Sequence, residues 1–186
     1  MGAIATSRRT RSMAYDPVAR ALHWLTVLLI AAEYTVGLTM PGIHRNTRVG
    51  TLISIHLALG SGILLLIVLR IAWRSRHRPP PPPPLPRWQR YVAAGTHAAL
   101  YAALVLTPLT GWATASAHGW PVRAFGLLPL PALVAHPPHV PPWFWEAHVF
   151  MVYWVLLTLI IVHIAAALYH RLIRRDSVLS RMLPGL

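Results

Sequence analysis

Apolar residues gather in four runs long enough to cross ~30 Å of hydrocarbon, which takes about 20 helical residues, and charge is nearly absent inside them. The expected spans are about Arg20 to Met40, closed by Pro41-Gly42; about Gly50 to Trp73; about Tyr91 to Ala115, with Pro108 and Gly111 inside; and about Glu146 to Leu172. A soluble helical bundle does not read this way, because its helices alternate an apolar stripe with a charged face. Internal proline and glycine are tolerated in a spanning helix where neighbouring helices re-satisfy the backbone. The pattern predicts an all-α integral membrane four-helix bundle at 20–172, between a tail at 1–19 and a tail at 173–186.

The connections carry their own signals. Arg78 is followed by six prolines, then Leu85 and Pro86; proline fixes φ and lacks a donor, so this is an extended polyproline spacer outside the membrane. The connection from about Ser116 to Trp145 is rich in Pro, Trp and His, and reads as a folded cap anchored at the interface by Trp120, Trp143 and Trp145. No internal repeat is evident.

Composition supports the membrane reading: 55% of the 186 residues are hydrophobic, and the acidic residues are only Asp16, Glu33, Glu146 and Asp176. The formal charge of +13 comes entirely from arginine, placed at the ends of the apolar runs rather than among stacking aromatics. That placement reports topology and argues against nucleic acid as a partner. The two tails and the Pro-rich loop, with their flanking helix ends, hold fourteen arginines, whereas Arg45, Arg48 and Arg123 are the three in the other loops. By the positive-inside rule both termini are cytoplasmic. A twin arginine at Arg8-Arg9 precedes no small-residue cleavage site and is read as part of a retained tail. Cysteine is absent, which removes thiolate metal sites, iron–sulfur clusters and covalent haem attachment, and leaves histidine as the strong metal ligand.

With alternating helix directions, depth follows from position at ~1.5 Å per residue. His56 and His148 fall at the outer level of the second and fourth spans. His23 and His163 fall at the inner level, with His97 and His170 as competitors for the same place. Two neutral imidazoles facing across a bundle supply both axial positions of a haem iron. The expected metal ligands are therefore His56 with His148 for an outer haem, and His23 with His163 for an inner one. His148 and His163 are fifteen residues apart, about 22 Å of helical rise, so two haem b groups stacked this way bridge most of the membrane and form an electron path through it. A lone intramembrane histidine often only hydrogen-bonds a neighbouring helix; four matched in depth point to a cofactor.

His23-Trp24, His56 with Gly60, Leu69-Arg70 before Arg74 and the proline tract, His97 through Tyr101 to Pro108 and Gly111, His163 through Tyr169-His170, and Arg181-Met182-Leu183-Pro184 resemble, in order and spacing, the bacterial cytochrome b561 family over about Tyr15 to Pro184. The resemblance implies a dihaem cytochrome b of the bacterial inner membrane, with ligands matching His23, His56, His148 and His163. It also implies superoxide oxidation coupled to ubiquinone reduction. One departure stands out: the family's two fourth-helix ligands are usually about fourteen residues apart. Fifteen residues turn an ideal helix about 60° instead of about 40° the other way, so a π-bulge re-aligns them or the outer ligand sits differently.

Other residues fit around such a pair of haems. Arg70 and Arg74 stand four apart near the inner end of the second span, where guanidinium forks could bind propionates or simply set topology. His97 and His170 could contact a quinone or a propionate, or make an interfacial hydrogen bond. Glu33, deep in the first span, could pass protons, pair with Arg45 or Arg48, or hydrogen-bond a neighbouring helix. Arg45, Arg48 and Arg123, with His44, His118, His136 and His139, make a basic outer mouth that would steer superoxide or dock an acidic periplasmic redox protein; His44, His136 and His139 could also bind a metal. Two rival readings remain: an electron-transfer subunit passing electrons from quinol to a periplasmic partner, and a haem-free, histidine-lined metal transporter.

Overall fold

Helix starts and stops follow from local chemistry. In the structure, a computed structural model that describes residues 14–44, 47–77, 79–81, 84–135 and 141–183, helix α1 (Pro17–Thr39) opens with Pro17 in its first turn and Asp16 as N-cap, whose carboxylate accepts from the Ala19 amide at 2.9 Å. Both are strong start signals: proline loses nothing at a position whose N–H is unpaired, and aspartate satisfies one orphan donor. Helix α2 (Thr51–Arg76) ends with Arg74 and Arg76 in its last turn, where cations complement the exposed carbonyls. The His77 ring then stacks on Trp73 at 3.7 Å, just before the prolines. Helix α3 (Arg87–Ala117) begins directly after Pro86 and contains Pro108. Helix α4 runs from Pro142 to Arg174 and stops at Arg175, which takes the left-handed conformation with φ 53°. All four are long and apolar enough to cross a membrane, and each extends beyond its expected span by two to four residues at one or both ends.

Helix α4 is not uniform: Met151–Leu156 and His170–Arg174 are π-helical turns. The first lies between His148 and His163, so of the two outcomes the fifteen-residue spacing left open, a π-bulge or a differently seated outer ligand, the π-bulge is present. A π-turn takes an extra residue into the turn and so reduces the accumulated rotation, bringing the two histidines back towards one face. The Tyr34 hydroxyl of α1 donates to the Val152 carbonyl at 2.9 Å, a carbonyl that also accepts from the Leu157 amide.

Packing is sequential, α1 on α2, α2 on α3 and α3 on α4. No Cα of α1 or of α2 comes within 8 Å of an α4 Cα, so the bundle is open along that side. A small core of Ile63, Ile67, Ala103, Leu104 and Leu156 fills the middle layer. Many other apolar side chains point outward, Leu28, Leu38 and Trp154 among them, as expected where lipid rather than water is the surrounding phase.

At the loop end, Arg123–Ala124 (β1) and Leu128–Pro129 (β2) form an antiparallel hairpin turned by Phe125 and Gly126, both at positive φ. Ser61 donates to the Arg123 carbonyl at 3.1 Å. The Phe125 ring lies so close to Gly62 that a Cβ there would sit 2.5 Å from a ring carbon. The expected cap is thus a hairpin pinned to α2, in the part of this connection that is described; residues 136–140, with His136 and His139, lie outside the described residues, as does Arg45.

At the termini end the chain after α4 folds back rather than trailing away. His170 Nδ1 donates to the Asp176 carboxylate at 2.7 Å, Arg174 lies 3.4 Å from it, and the Val178 amide donates to its other oxygen. Burial alone would raise the Asp176 carboxyl, but the His170 hydrogen bond, the Val178 amide and the Arg174 charge together hold it below the usual carboxylate range. A depressed carboxyl stabilises the fold above its ordinary range, and that contribution is lost as pH falls through the lowered value. Beyond this turn, Trp24 donates to the Met182 carbonyl at 2.8 Å, Arg20 to the Leu183 carbonyl at 3.0 Å, and the Tyr15 amide to the Arg181 carbonyl at 3.2 Å. The buried Arg181 side chain donates to the Pro81 carbonyl at 2.7 Å, so one residue joins the C-terminal segment, the α1 entry and the proline spacer. Replacing Arg181 with alanine is expected to cost about 1.5–3 kcal/mol, the range for a hydrogen bond from a charged group. Thermal unfolding in detergent checks this, and the conservative Arg181→Lys should restore part of the loss.

Candidate functional site

The intramembrane histidines fall into two groups, one at each end of the open side of the bundle. At the loop end, the His56 ring from α2 and the His148 ring from α4 are 6.0 Å apart at 82°. At the termini end, His23 from α1 and His163 from α4 are 6.3 Å apart at 71°, and His97 from α3 approaches the same His163 ring at 5.4 Å. The structure thus brings together both pairs expected from depth, and it sets His97 beside His163 as a third imidazole. His170 stands apart from this group, held by Asp176.

Each ring at the loop end is held from behind. His148 Nδ1 lies 3.0 Å from the Thr107 carbonyl; a carbonyl only accepts, so Nδ1 carries the proton and Nε2 is left with a lone pair. The ring gets there because Gly111, one turn further along α3, has no side chain: a Cβ would lie 2.9 Å from the imidazole Cε1. Thr110 adds a contact at 3.3 Å. His56 turns its Nδ1 towards α1, 3.0 Å from Glu33 Oε1, close in distance but too poorly aligned to be a formed hydrogen bond. Glu33 reaches it over Gly60, where a Cβ would lie 3.2 Å from that carboxylate oxygen. Among the described residues Glu33 thus faces a neighbouring helix at His56; Arg45, offered as a partner for it, lies outside them.

A cavity of about 330 Å³ opens between the four helices at this level, lined by Gly37, Gly60, Gly111, His56 and His148. Glu33 and Thr107 also line it, and their Oε2 and Oγ1 are buried with no hydrogen-bond partner among the described residues. At the termini end the guanidinium of Arg70 sits 3.4 Å from Thr26 Oγ1 and 5.6 Å above the Tyr101 ring. Arg70 and Arg74 border a cleft of about 40 Å³ with Trp73, Tyr101 and Met182. In the connections, Arg48 and Arg123 are exposed. His118 Nδ1 donates to the Thr114 carbonyl of its own helix, 2.8 Å away, and the ring packs on Trp120.

Two imidazoles on opposite sides of one metal ion, each with a metal–nitrogen bond of ~2 Å, place their ring centres roughly 6 Å apart. Both observed separations match. The glycine-lined cavity between helices that stand apart gives room for a flat macrocycle around such an ion at the loop end, and the arginines at the termini end suit its carboxylates. The residues present therefore fit haem. Sequence reasoning found the histidines and arginines. It did not find the Thr107 carbonyl, the Tyr34 bond or the Glu33 contact to His56; the proximity of Pro108 and Gly111 to Thr107 was the available signal for the first.

Comparison with known proteins agrees with this chemistry. The profile of the prokaryotic cytochrome b561 family matches residues 14–185. The chain is also 29% identical over 173 residues to cytochrome b561 homolog 2 of Escherichia coli strain K12, covering 91% of this chain and 90% of that protein. With four helices fit to span a membrane and a match over nearly its whole length, the chain belongs to the prokaryotic cytochrome b561 family, whose members carry electrons in membranes through haem b, usually two per protein.

Proposed function

We propose that this protein is a superoxide:ubiquinone oxidoreductase of the bacterial inner membrane, with both termini cytoplasmic, and that His56 with His148 and His23 with His163 hold its two haems. The observation that carries the reading is the pair of imidazole separations, 6.0 and 6.3 Å, at the two ends of one open side. The two haems, when bound, supply one-electron redox chemistry at each end of the bilayer.

The protein's own residues do the rest. Thr107 holds His148 in the tautomer with Nε2 free for iron. At the other end Arg70 and Arg74, bordering one cleft, neutralise propionates that would otherwise be costly in hydrocarbon. His97 beside His163 contributes a polar edge for a propionate or for quinone. His170, fixed through Nδ1 by Asp176, keeps Nε2 for the same purpose. At the loop end the exposed Arg48 and Arg123 give the entrance a positive potential that steers a small anion such as superoxide. The middle layer of Ile63, Ile67, Leu104 and Leu156 keeps water from the path between the ends.

Three outcomes test this. Purified wild-type protein should carry two b-type haems, and His148→Ala and His23→Ala should each lose one of them, read by reduced-minus-oxidised spectra against protein concentration. Gly111→Val should reproduce the His148→Ala loss although no ligand is changed, since its side chain occupies the space of the imidazole. In stopped flow, haem-loaded protein with ubiquinone should consume superoxide faster than spontaneous dismutation, with a rate that falls steeply as salt screens Arg48 and Arg123. Loaded protein with no acceleration would reject the superoxide activity and favour quinol oxidation towards a periplasmic redox protein.

A further inference from the structure

Among the polar side chains near the histidines, Glu33 is the one whose place no general feature of a four-helix bundle explains. It sits in the middle of α1 in a span otherwise without acidic residues, its side chain is 17% exposed, and its Oε1 is 3.0 Å from His56 Nδ1. Gly60 leaves the room it needs on α2, since a Cβ there would come to 3.2 Å from the same oxygen. Its second oxygen is buried with no hydrogen-bond partner among the described residues, and Glu33 lines the cavity beside His56. An acidic group in hydrocarbon is costly and persists where it has a partner. Here the nearest polar partner is the imidazole.

We infer that Glu33 is a positioning residue for the loop-end haem: its Oε1 takes the His56 Nδ1–H, fixes the ring with Nε2 towards His148, and makes His56 the more strongly donating of the two axial imidazoles. The inference rests on the haem assignment above. The two histidines of this site are held differently, His148 by the neutral Thr107 carbonyl and His56 by a carboxylate group. A hydrogen bond to a histidine's remote nitrogen sets its tautomer and orientation and raises its basicity, and a carboxylate does so more than a carbonyl. A more basic ligand favours ferric over ferrous iron. The Glu33 contact therefore lowers the potential of the loop-end haem relative to the same site without it. At present the approach is close but off-line; a bond at Nε2 fixes the ring plane and lets the Nδ1–H align, as such contacts tighten on ligand binding.

The test is a spectroelectrochemical titration of full-length, haem-loaded protein in detergent, comparing wild type with Glu33→Leu and Glu33→Gln. Glu33→Leu should raise one of the two midpoint potentials by about 59 mV, which is a tenfold change in the ferric-to-ferrous ratio for a one-electron couple, and leave the other in place. Glu33→Gln, which keeps an oxygen acceptor, should give a smaller shift of the same sign. In a His148→Ala background, which retains the termini-end haem alone, Glu33→Leu should move nothing. Unchanged potentials in fully loaded Glu33→Leu protein, or equal shifts of both haems, would overturn the inference. Should Glu33→Leu fail to load or fold, the Gln variant decides by the same criterion. A wild-type protein without haem would instead reject the haem assignment itself, before any variant is made.

Discussion

The constraint on which this structure depends is that imidazoles in hydrocarbon must have their polar edges satisfied, and that α1 and α2 must stand away from α4 for those edges to face one another. No water is at hand in the bilayer core to cover an unpaired nitrogen. At the loop end the solution is specific: Thr107 takes His148 from α3, and Glu33 approaches His56 from α1. Each ring thus has a polar group of an adjoining helix beside its Nδ1, and the two rings stand 6.0 Å apart. Glycine is what permits this, because Gly60 and Gly111 leave room for the polar groups of their neighbours.

That arrangement reverses the usual priority of packing. Helices in membranes associate through close contact and small residues rather than through expulsion of water. Here close contact is confined to the sequence-adjacent pairs, and the α1–α4 side is joined by the Tyr34 bond to Val152 rather than by backbone proximity. The carbonyl used is in the π-turn that accommodates the fifteen-residue spacing, so the irregularity that aligns His148 and His163 also supplies a tie across the open side. The core of Ile63, Ile67, Ala103, Leu104 and Leu156 then occupies the level between the two histidine groups.

The two ends are built to different rules. The termini end is knotted by charge: Arg20, Arg174 and Arg181 reach carbonyls or a carboxylate, and the segment after α4 returns to meet Tyr15 and Trp24. The loop end is held by shape, with Phe125 seated against Gly62 and the hairpin bonded to Ser61. The arginines that the sequence pattern gathers at the termini end are thus the same side chains that close the bundle there.

Much of this was legible in the chain. Four apolar runs define four helices, because a backbone in lipid must satisfy itself locally and the length needed to cross is fixed. Histidine depth gave the pairs, because helical rise is constant. The fifteen-residue spacing offered the π-turn as one of two ways to accommodate it. Other features were not legible: that Glu33 meets His56, that His170 is engaged by Asp176, that His97 shares His163 with His23, and that the C-terminal segment folds back. Helical periodicity gives height along an axis but not which neighbour a face meets, and that is set by how the helices rotate and stand apart when they pack. The sequence by itself determined the spans, their order and the level of each polar residue; the tertiary structure alone decided the partners, since a hydrogen bond across helices depends on azimuth and separation, which no single helix contains.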